Sequence, residues 1–141
     1  MEDTAKMKIM VGYNGSDISR AALSLARKHA RAFNARVLVM TSMEGGSAET
    51  IKDIERVEKN LQEAKEFMEE KGVECETHQL ARGLSPGEDL VTFARENDIG
   101  LMFVGVEKKS KTQKIILGST AQYIILKAPC PVTAVKSGSG A

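Results

Sequence analysis

The sequence predicts a single α/β domain in which a parallel sheet is covered by helices on both faces. Short apolar runs alternate along the chain with longer segments whose apolar residues recur at helical spacing. Most of these runs are almost continuously apolar, which is typical of parallel strands buried on both faces. With 141 residues, of which 42% are hydrophobic, the chain is long enough for one core. It shows neither an internal repeat nor an interdomain linker.

Five segments are predicted to be strands: Met7–Tyr13, Arg36–Met40, Val73–Ala81, Ile99–Val104 and Val132–Lys136. The third is more polar than the others and alternates, so we expect it at an edge of the sheet. The fourth is expected to end at Gly105, and Pro131 introduces the fifth.

Four segments are predicted to be helices: Asp17–Phe33, Ile51–Met68, Glu88–Glu96 and Ser119–Lys127. Gly45-Gly46-Ser47 breaks the chain before the second helix, and Gly72 caps its end. Ser85-Pro86-Gly87-Glu88 is a capping box with proline at the first helical position. The α/β domain is thus expected over residues 1–136, and residues 137–141 have the composition of a flexible tail.

Composition argues against several classes of partner. The formal net charge is +1 and aromatic residues make up 4%, so the chain offers neither a basic footprint nor stacking platforms for nucleic acid. No apolar stretch approaches the length of a membrane span. Met1–Thr4 is acidic and no apolar region follows it, so we expect no signal peptide and a cytoplasmic protein. Cys75 and Cys130 fit no metal or redox spacing and are expected to be reduced.

The strongest functional signal lies between Gly105 and Thr120. A strand gives way to a glycine, then to a lysine-rich loop, and then to Gly118-Ser119-Thr120 at the start of a helix. Glycines allow the backbone to approach a ligand closely, and the free N–H groups of a helix start favour a phosphate. The alternative is an ordinary helix N-cap, because Ser and Thr are favoured there in any case.

The spacing of this segment, G-x2-K-x9-G-S-T, resembles the G-x2-G-x9-G-[S/T] pattern of the ATP-binding universal stress proteins. The first strand and turn, Ile9–Ser16, resemble that family's opening segment, and Ala128-Pro129-Cys130-Pro131-Val132 resembles its entry to the last strand. The similarity runs from Lys8 to Lys136 in the expected order. The chain is therefore identified as a member of this family.

The resemblance implies the adenine-nucleotide alpha-hydrolase-like fold, with strand order 3-2-1-4-5. In that order the first and fourth strands are neighbours, and ligands bind at such a switch point beyond the carboxyl ends of the strands. The turn Gly12–Ser16 and the loop Gly105–Gly118 would then line one crevice. The implied ligand is ATP or another adenine nucleotide, with the involvement of magnesium left open. The candidate contacts are Gly12, Tyr13, Asn14, Ser42, Gly105, Lys108, Lys109, Gly118, Ser119 and Thr120.

Two of these positions depart from the family pattern. Lys108 stands where the second loop glycine belongs; it either blocks close approach of the backbone or replaces it with an ammonium contact to a phosphate. Asn14 stands where aspartate is usual; it keeps an acceptor oxygen without the charge, or else Asn14-Gly15 is only a turn. Ser42 matches a family position whose backbone faces the adenine.

The histidines suggest no catalytic site. His29 lies among basic residues and is expected at the surface, and His78 lies on the polar third strand. Neither occurs in a pattern typical of a metal site or a catalytic triad. A dedicated enzyme is not indicated.

Three functions remain open on this evidence. The first is a cytoplasmic stress-response regulatory module that binds an adenine nucleotide. The second is a family member without nucleotide that acts through dimerisation and protein partners, and the third is a slow ATP hydrolase. A homodimer is expected through the strand Val132–Val135, since this short apolar edge would be paired by a second copy.

Overall fold

Strands and helices alternate strictly along the chain. The computed structural model describes residues 6–43, 50–106 and 117–136. The strands are β1 (Lys8–Gly12), β2 (Arg36–Ser42), β3 (Cys75–Leu80), β4 (Leu101–Val106) and β5 (Val132–Lys136). The helices are α1 (Asp17–Phe33), α2 (Ile51–Glu69), α3 (Pro86–Glu96) and α4 (Ser119–Lys127). Gly45–Ser47, the lysine-rich loop and the tail 137–141 lie outside the described residues.

The five strands form one parallel sheet in the order β3-β2-β1-β4-β5. Met10 of β1 is paired with Leu38 of β2 on one side and with Met102 of β4 on the other. The predicted fold class and strand order are therefore confirmed, and the polar third strand lies at an edge as expected.

Each face of the sheet has its own core. Because side chains alternate along a strand, Ile9 and Val11 point to the face covered by α1 and α2, whereas Met10 points to the face covered by α3 and α4. The first core includes Val37, Val39 and Phe103, and the second includes Leu38, Met40 and Met102. Both faces are thus buried, which explains the nearly continuous apolar runs of the central strands.

The helix ends follow the signals in the sequence. The Glu88 carboxylate accepts hydrogen bonds from the Ser85 hydroxyl at 2.8 Å and from the Ser85 N–H at 3.4 Å, so the capping box forms. Helix α3 begins at Pro86, two residues earlier than predicted. Gly72 has a φ of 75° just beyond α2, a conformation that glycine adopts without strain.

Two expectations are wrong. Gly105 does not end the fourth strand: β4 continues to Val106, because β5 runs beside it and pairs Gly105 with Val135. His29 is partly buried rather than fully exposed, since its ring lies edge-on to Phe103 with 5.0 Å between the ring centroids. Helix α1 crosses β4, and one side of this histidine therefore contacts an aromatic side chain of the sheet.

Both cysteines are free, and burial raises the pKa of the Cys75 thiol to about 11. Among the described residues no helix is long and apolar enough to cross a bilayer.

Candidate functional site

A cavity of about 330 Å³ opens at the carboxyl ends of the central strands. The helices that follow β1 and β4 cover opposite faces of the sheet, so this is the point where the chain reverses its winding. The walls come from the ends of β1, β2 and β4 and from the first turns of α1, α3 and α4. The lining residues are Gly12, Tyr13, Asn14, Ser16, Ile18, Ser19, Met40, Thr41, Ser42, Pro86, Leu90, Met102, Phe103, Val104, Gly105, Thr120, Ala121 and Ile124.

Six of the ten candidate contacts line this cavity: Gly12, Tyr13, Asn14, Ser42, Gly105 and Thr120. The fold therefore brings the turn after β1 and the glycine of β4 together, although they are far apart in the sequence. Gly118 and Ser119 lie beside the cavity at the start of α4, are exposed, and are not among its lining residues. Lys108 and Lys109 lie outside the described residues.

The turn between β1 and α1 is held by its own polar groups. The Asn14 Oδ1 atom accepts a hydrogen bond from the Ser16 N–H at 3.0 Å, and Ser16 Oγ accepts one from the Ser19 N–H at 3.2 Å. Ser16 is thereby the N-cap of α1. The side-chain oxygen of Asn14 thus stabilises the turn, and Asn14 also lines the cavity.

Tyr13 contributes to the core as well as to the cavity wall. Its side chain is buried in the cluster beneath α1 and α2. Its N–H donates to the Met40 carbonyl at 2.9 Å, and its own carbonyl accepts the Thr41 hydroxyl at 2.6 Å. These bonds extend the contact between β1 and β2 by one residue and fix the floor of the cavity.

The start of α4 is open to a ligand. Gly118 is its N-cap with an ordinary extended backbone (φ −66°), and a Cβ atom built on it would meet no atom of the described residues within 4 Å. The first turn contains no acidic residue. The unpaired N–H groups of a helix start carry partial positive charge and attract anions.

Packing within the fold requires a glycine at position 105. A Cβ atom at this position would lie 2.9 Å from Cγ1 of Ile18 in the first turn of α1. A glycine in β4 therefore lets α1 begin directly against the sheet, next to the cavity. This packing requirement is independent of any ligand.

A buried carboxylate behind the cavity was not predicted from the sequence. Asp89 of α3 is fully buried and accepts a hydrogen bond from the Ser42 hydroxyl at 2.7 Å. The Arg82 Nε atom donates to the other carboxylate oxygen at 2.7 Å, and Arg82 also pairs with Glu96. Hydrogen bonding to Asp89, and then to Glu96, raises the pKa of the Arg82 guanidinium. Asp89 lies in the first turn of a helix, where acidic residues are common, so the sequence held no signal for this role.

Within the described ranges, no group of three or more His, Cys, Asp or Glu side chains is placed to hold a metal ion.

Comparison with known proteins assigns the family. The sequence profile of the Universal stress protein family matches residues 7–136, which is nearly the whole chain. The chain belongs to the universal stress protein family. Among curated members, a universal stress protein of Methanocaldococcus jannaschii is 32% identical over 140 residues, spanning 92% of this chain and 81% of the relative.

Solved structures of the family have the same fold. The universal stress protein from Archaeoglobus fulgidus is 34% identical, with a TM-score of 0.84 and coverage of 94% of this chain and 95% of that one. A structure of the universal stress protein from Archaeoglobus fulgidus in complex with dAMP is 32% identical, with a TM-score of 0.80 and coverage of 94% and 100%.

Proposed function

We propose that this universal stress protein is a cytoplasmic stress-response regulator that binds an adenine nucleotide in the cavity at the ends of β1, β2 and β4. The observation that carries the proposal is that the start of α4 lies beside this cavity. Gly118 stands there, although nothing in the described part of the fold demands a glycine at this position. A glycine there leaves the backbone N–H groups at the start of α4 accessible to a close approach by a ligand.

The two ends of the cavity differ in chemistry. Toward β2 and α3 the walls are largely apolar and include Met40, Pro86 and Leu90, which suits the faces of a purine. Toward α4 the helix start and the Thr120 hydroxyl suit a phosphate. The relative from Archaeoglobus fulgidus that was solved with dAMP supports an adenine nucleotide as the ligand class.

ATP, ADP, AMP and cyclic AMP belong to the class that this site suits. Calorimetric titration of the purified protein with each of the four is the direct test, together with mass spectrometry of any nucleotide that co-purifies. We expect saturable binding of at least one of them. An empty protein that gives no heat with any of the four would refute the proposal.

A second function is favoured by one observation. The side-chain oxygen of Asn14 already accepts a hydrogen bond from the Ser16 N–H, which leaves it one lone pair and no charge to offer a ligand. The second function is that of a family member that has lost nucleotide binding and acts through dimerisation and partner proteins. Such a protein would not need Asn14 to contact a ligand. The same titrations decide between the two functions.

A further inference from the structure

The buried carboxylate of Asp89 controls the orientation of the Ser42 hydroxyl. Asp89 is fully buried, and its carboxylate accepts a hydrogen bond from the Arg82 guanidinium and forms an ion pair with it. An ionised carboxylate only accepts hydrogen bonds, so in the 2.7 Å contact the Ser42 hydroxyl must be the donor. The hydroxyl proton is therefore directed away from the cavity, and the atom that Ser42 offers to a ligand is an acceptor.

The same charge indicates which part of a nucleotide meets Ser42. A phosphate in contact with Ser42 would lie close to the Asp89 carboxylate, which is hydrogen-bonded to the same hydroxyl, and the two negative charges would repel each other. The helix start that suits a phosphate belongs to α4, which follows β4, and β4 and β2 lie on opposite sides of β1 in the sheet. The base is therefore expected at Ser42 and the phosphate at α4.

We propose that Asp89 is a positioning residue for base specificity: by holding the Ser42 hydroxyl as an acceptor, it selects bases that present an exocyclic amine and disfavours those that present a carbonyl at the same place. This inference rests on the proposed nucleotide site. An adenine amine donates to Ser42 Oγ, whereas the 6-oxo group of hypoxanthine or guanine brings a second acceptor against it. A site that cannot pair a polar group of the wrong base loses affinity for that base.

The test compares AMP with IMP, which carries the 6-oxo group, by calorimetric titration. For the wild-type protein we expect IMP to bind about tenfold more weakly than AMP or worse. Ser42→Ala removes the acceptor and should lower the ratio of the IMP dissociation constant to the AMP dissociation constant about fivefold. Ser42→Thr retains the hydroxyl and should preserve the ratio. Ser24→Ala, a serine of α1 outside the cavity lining, is the matched control and should also preserve it.

Asp89→Asn tests whether the orientation of the Ser42 hydroxyl matters, because this variant keeps the hydroxyl and changes only its hydrogen-bond partner. An amide in place of the carboxylate can donate as well as accept, so Ser42 is free to turn its proton toward the base, and the ratio should fall as it does for Ser42→Ala. If this variant does not fold, the Ser42 variants leave the buried ion pair intact and still decide the question.

The outcomes are distinct from those for the proposed function. A wild-type protein that binds AMP and IMP equally would overturn the specificity proposal alone, and so would an unchanged ratio in Ser42→Ala. A folded Asp89→Asn protein with the wild-type ratio would also overturn it. A protein that binds neither nucleotide would overturn both proposals together.

Discussion

Gly105 and Gly118 are both part of the glycine pattern, but they are glycines for different reasons. At Gly105 a side chain would collide with Ile18, because helix α1 starts directly above β4. At Gly118 a Cβ atom would meet no atom within 4 Å in the part of the chain that the structure describes. The first glycine therefore serves packing, and the second leaves the start of α4 accessible.

This difference predicts opposite effects of two substitutions. Gly118→Asp places a favoured N-cap residue and a negative charge at the start of α4, so the free energy of unfolding should stay the same or rise by up to about 1 kcal/mol. Nucleotide affinity should fall at least about tenfold, since the new carboxylate competes with the phosphate for the same N–H groups. Gly105→Ala should instead lower the free energy of unfolding by about 1–3 kcal/mol.

Urea denaturation and calorimetric titration of both variants measure these effects. Unchanged nucleotide binding in Gly118→Asp would contradict the placement of the phosphate at α4.

The value of an ion pair in this protein depends on burial. Arg82→Gln leaves the fully buried Asp89 carboxylate without its cation, so the free energy of unfolding should fall by about 3 kcal/mol. Arg36 pairs with Glu74 and Glu76 on the exposed edge of the sheet. Arg36→Gln, the matched control, should cost less than about 1 kcal/mol. Denaturant titration near neutral pH measures both variants. Equal losses of unfolding free energy would show that Arg82 does not stabilise the buried Asp89 carboxylate.

Among the elements, β5 has the most direct bearing on assembly. It forms one edge of the sheet, and Met102 of β4 donates its N–H to the Pro131 carbonyl at 3.0 Å. With Met102 paired to Val132, the parallel pattern directs the N–H of Thr133 toward β4. The N–H groups of Val132 and Ala134 point outward. A second copy that pairs with this edge would use the outward groups, which gives the proposed homodimer a defined set of bonds.

Two proline variants test the dimer. Ala134→Pro removes an outward N–H, which an edge strand tolerates, so it should convert a dimer to a folded monomer. Thr133→Pro removes a bond within the sheet and should destabilise the protein itself by about 3 kcal/mol. Light scattering at micromolar concentration and denaturant titration separate the two effects. A wild-type protein that stays monomeric would end the proposal, and a dimer that persists in Ala134→Pro would move the interface elsewhere.

On the scale of the whole molecule, the cavity joins both cores. Its lining includes Tyr13 and Phe103 from the face of α1 and α2, and Leu90 and Ile124 from the face of α3 and α4. A ligand that binds there contacts groups from both halves of the core only in the folded chain. Binding should therefore stabilise the entire domain and not only the loops around the site.

This coupling predicts a rise in the midpoint of thermal unfolding. At a nucleotide concentration 100 times the dissociation constant, the stabilisation is about 2.7 kcal/mol, which corresponds to a rise of about 10 °C for a chain of this size. Scanning calorimetry with increasing AMP measures it, and Gly118→Asp is the control that should show no rise. If millimolar AMP leaves the midpoint of thermal unfolding of the wild-type protein unchanged, that result would count against the nucleotide site.

Much of this molecule could be predicted from local patterns. Strand and helix positions follow from hydrophobic periodicity and from caps such as Ser85–Glu88, because these interactions join residues only a few positions apart. The strand order, which periodicity does not contain, came from the resemblance of the glycine motif and the chain ends to a family. That strand order predicted that the turn at Gly12 and the loop at Gly105 would line one crevice, and the fold brings the two glycines together.

Other features were decided by the tertiary structure alone. Ser42 and Asp89 are 47 residues apart, and neither shows in its local sequence that it will meet the other. His29 is partly buried because α1 crosses Phe103, and β4 extends past Gly105 because β5 lies alongside it. The outward N–H groups of β5 follow from its register with β4. Each of these depends on which surfaces the packed helices and strands bring into contact, and a pattern that repeats every two or 3.6 residues carries no information about a partner so far along the chain.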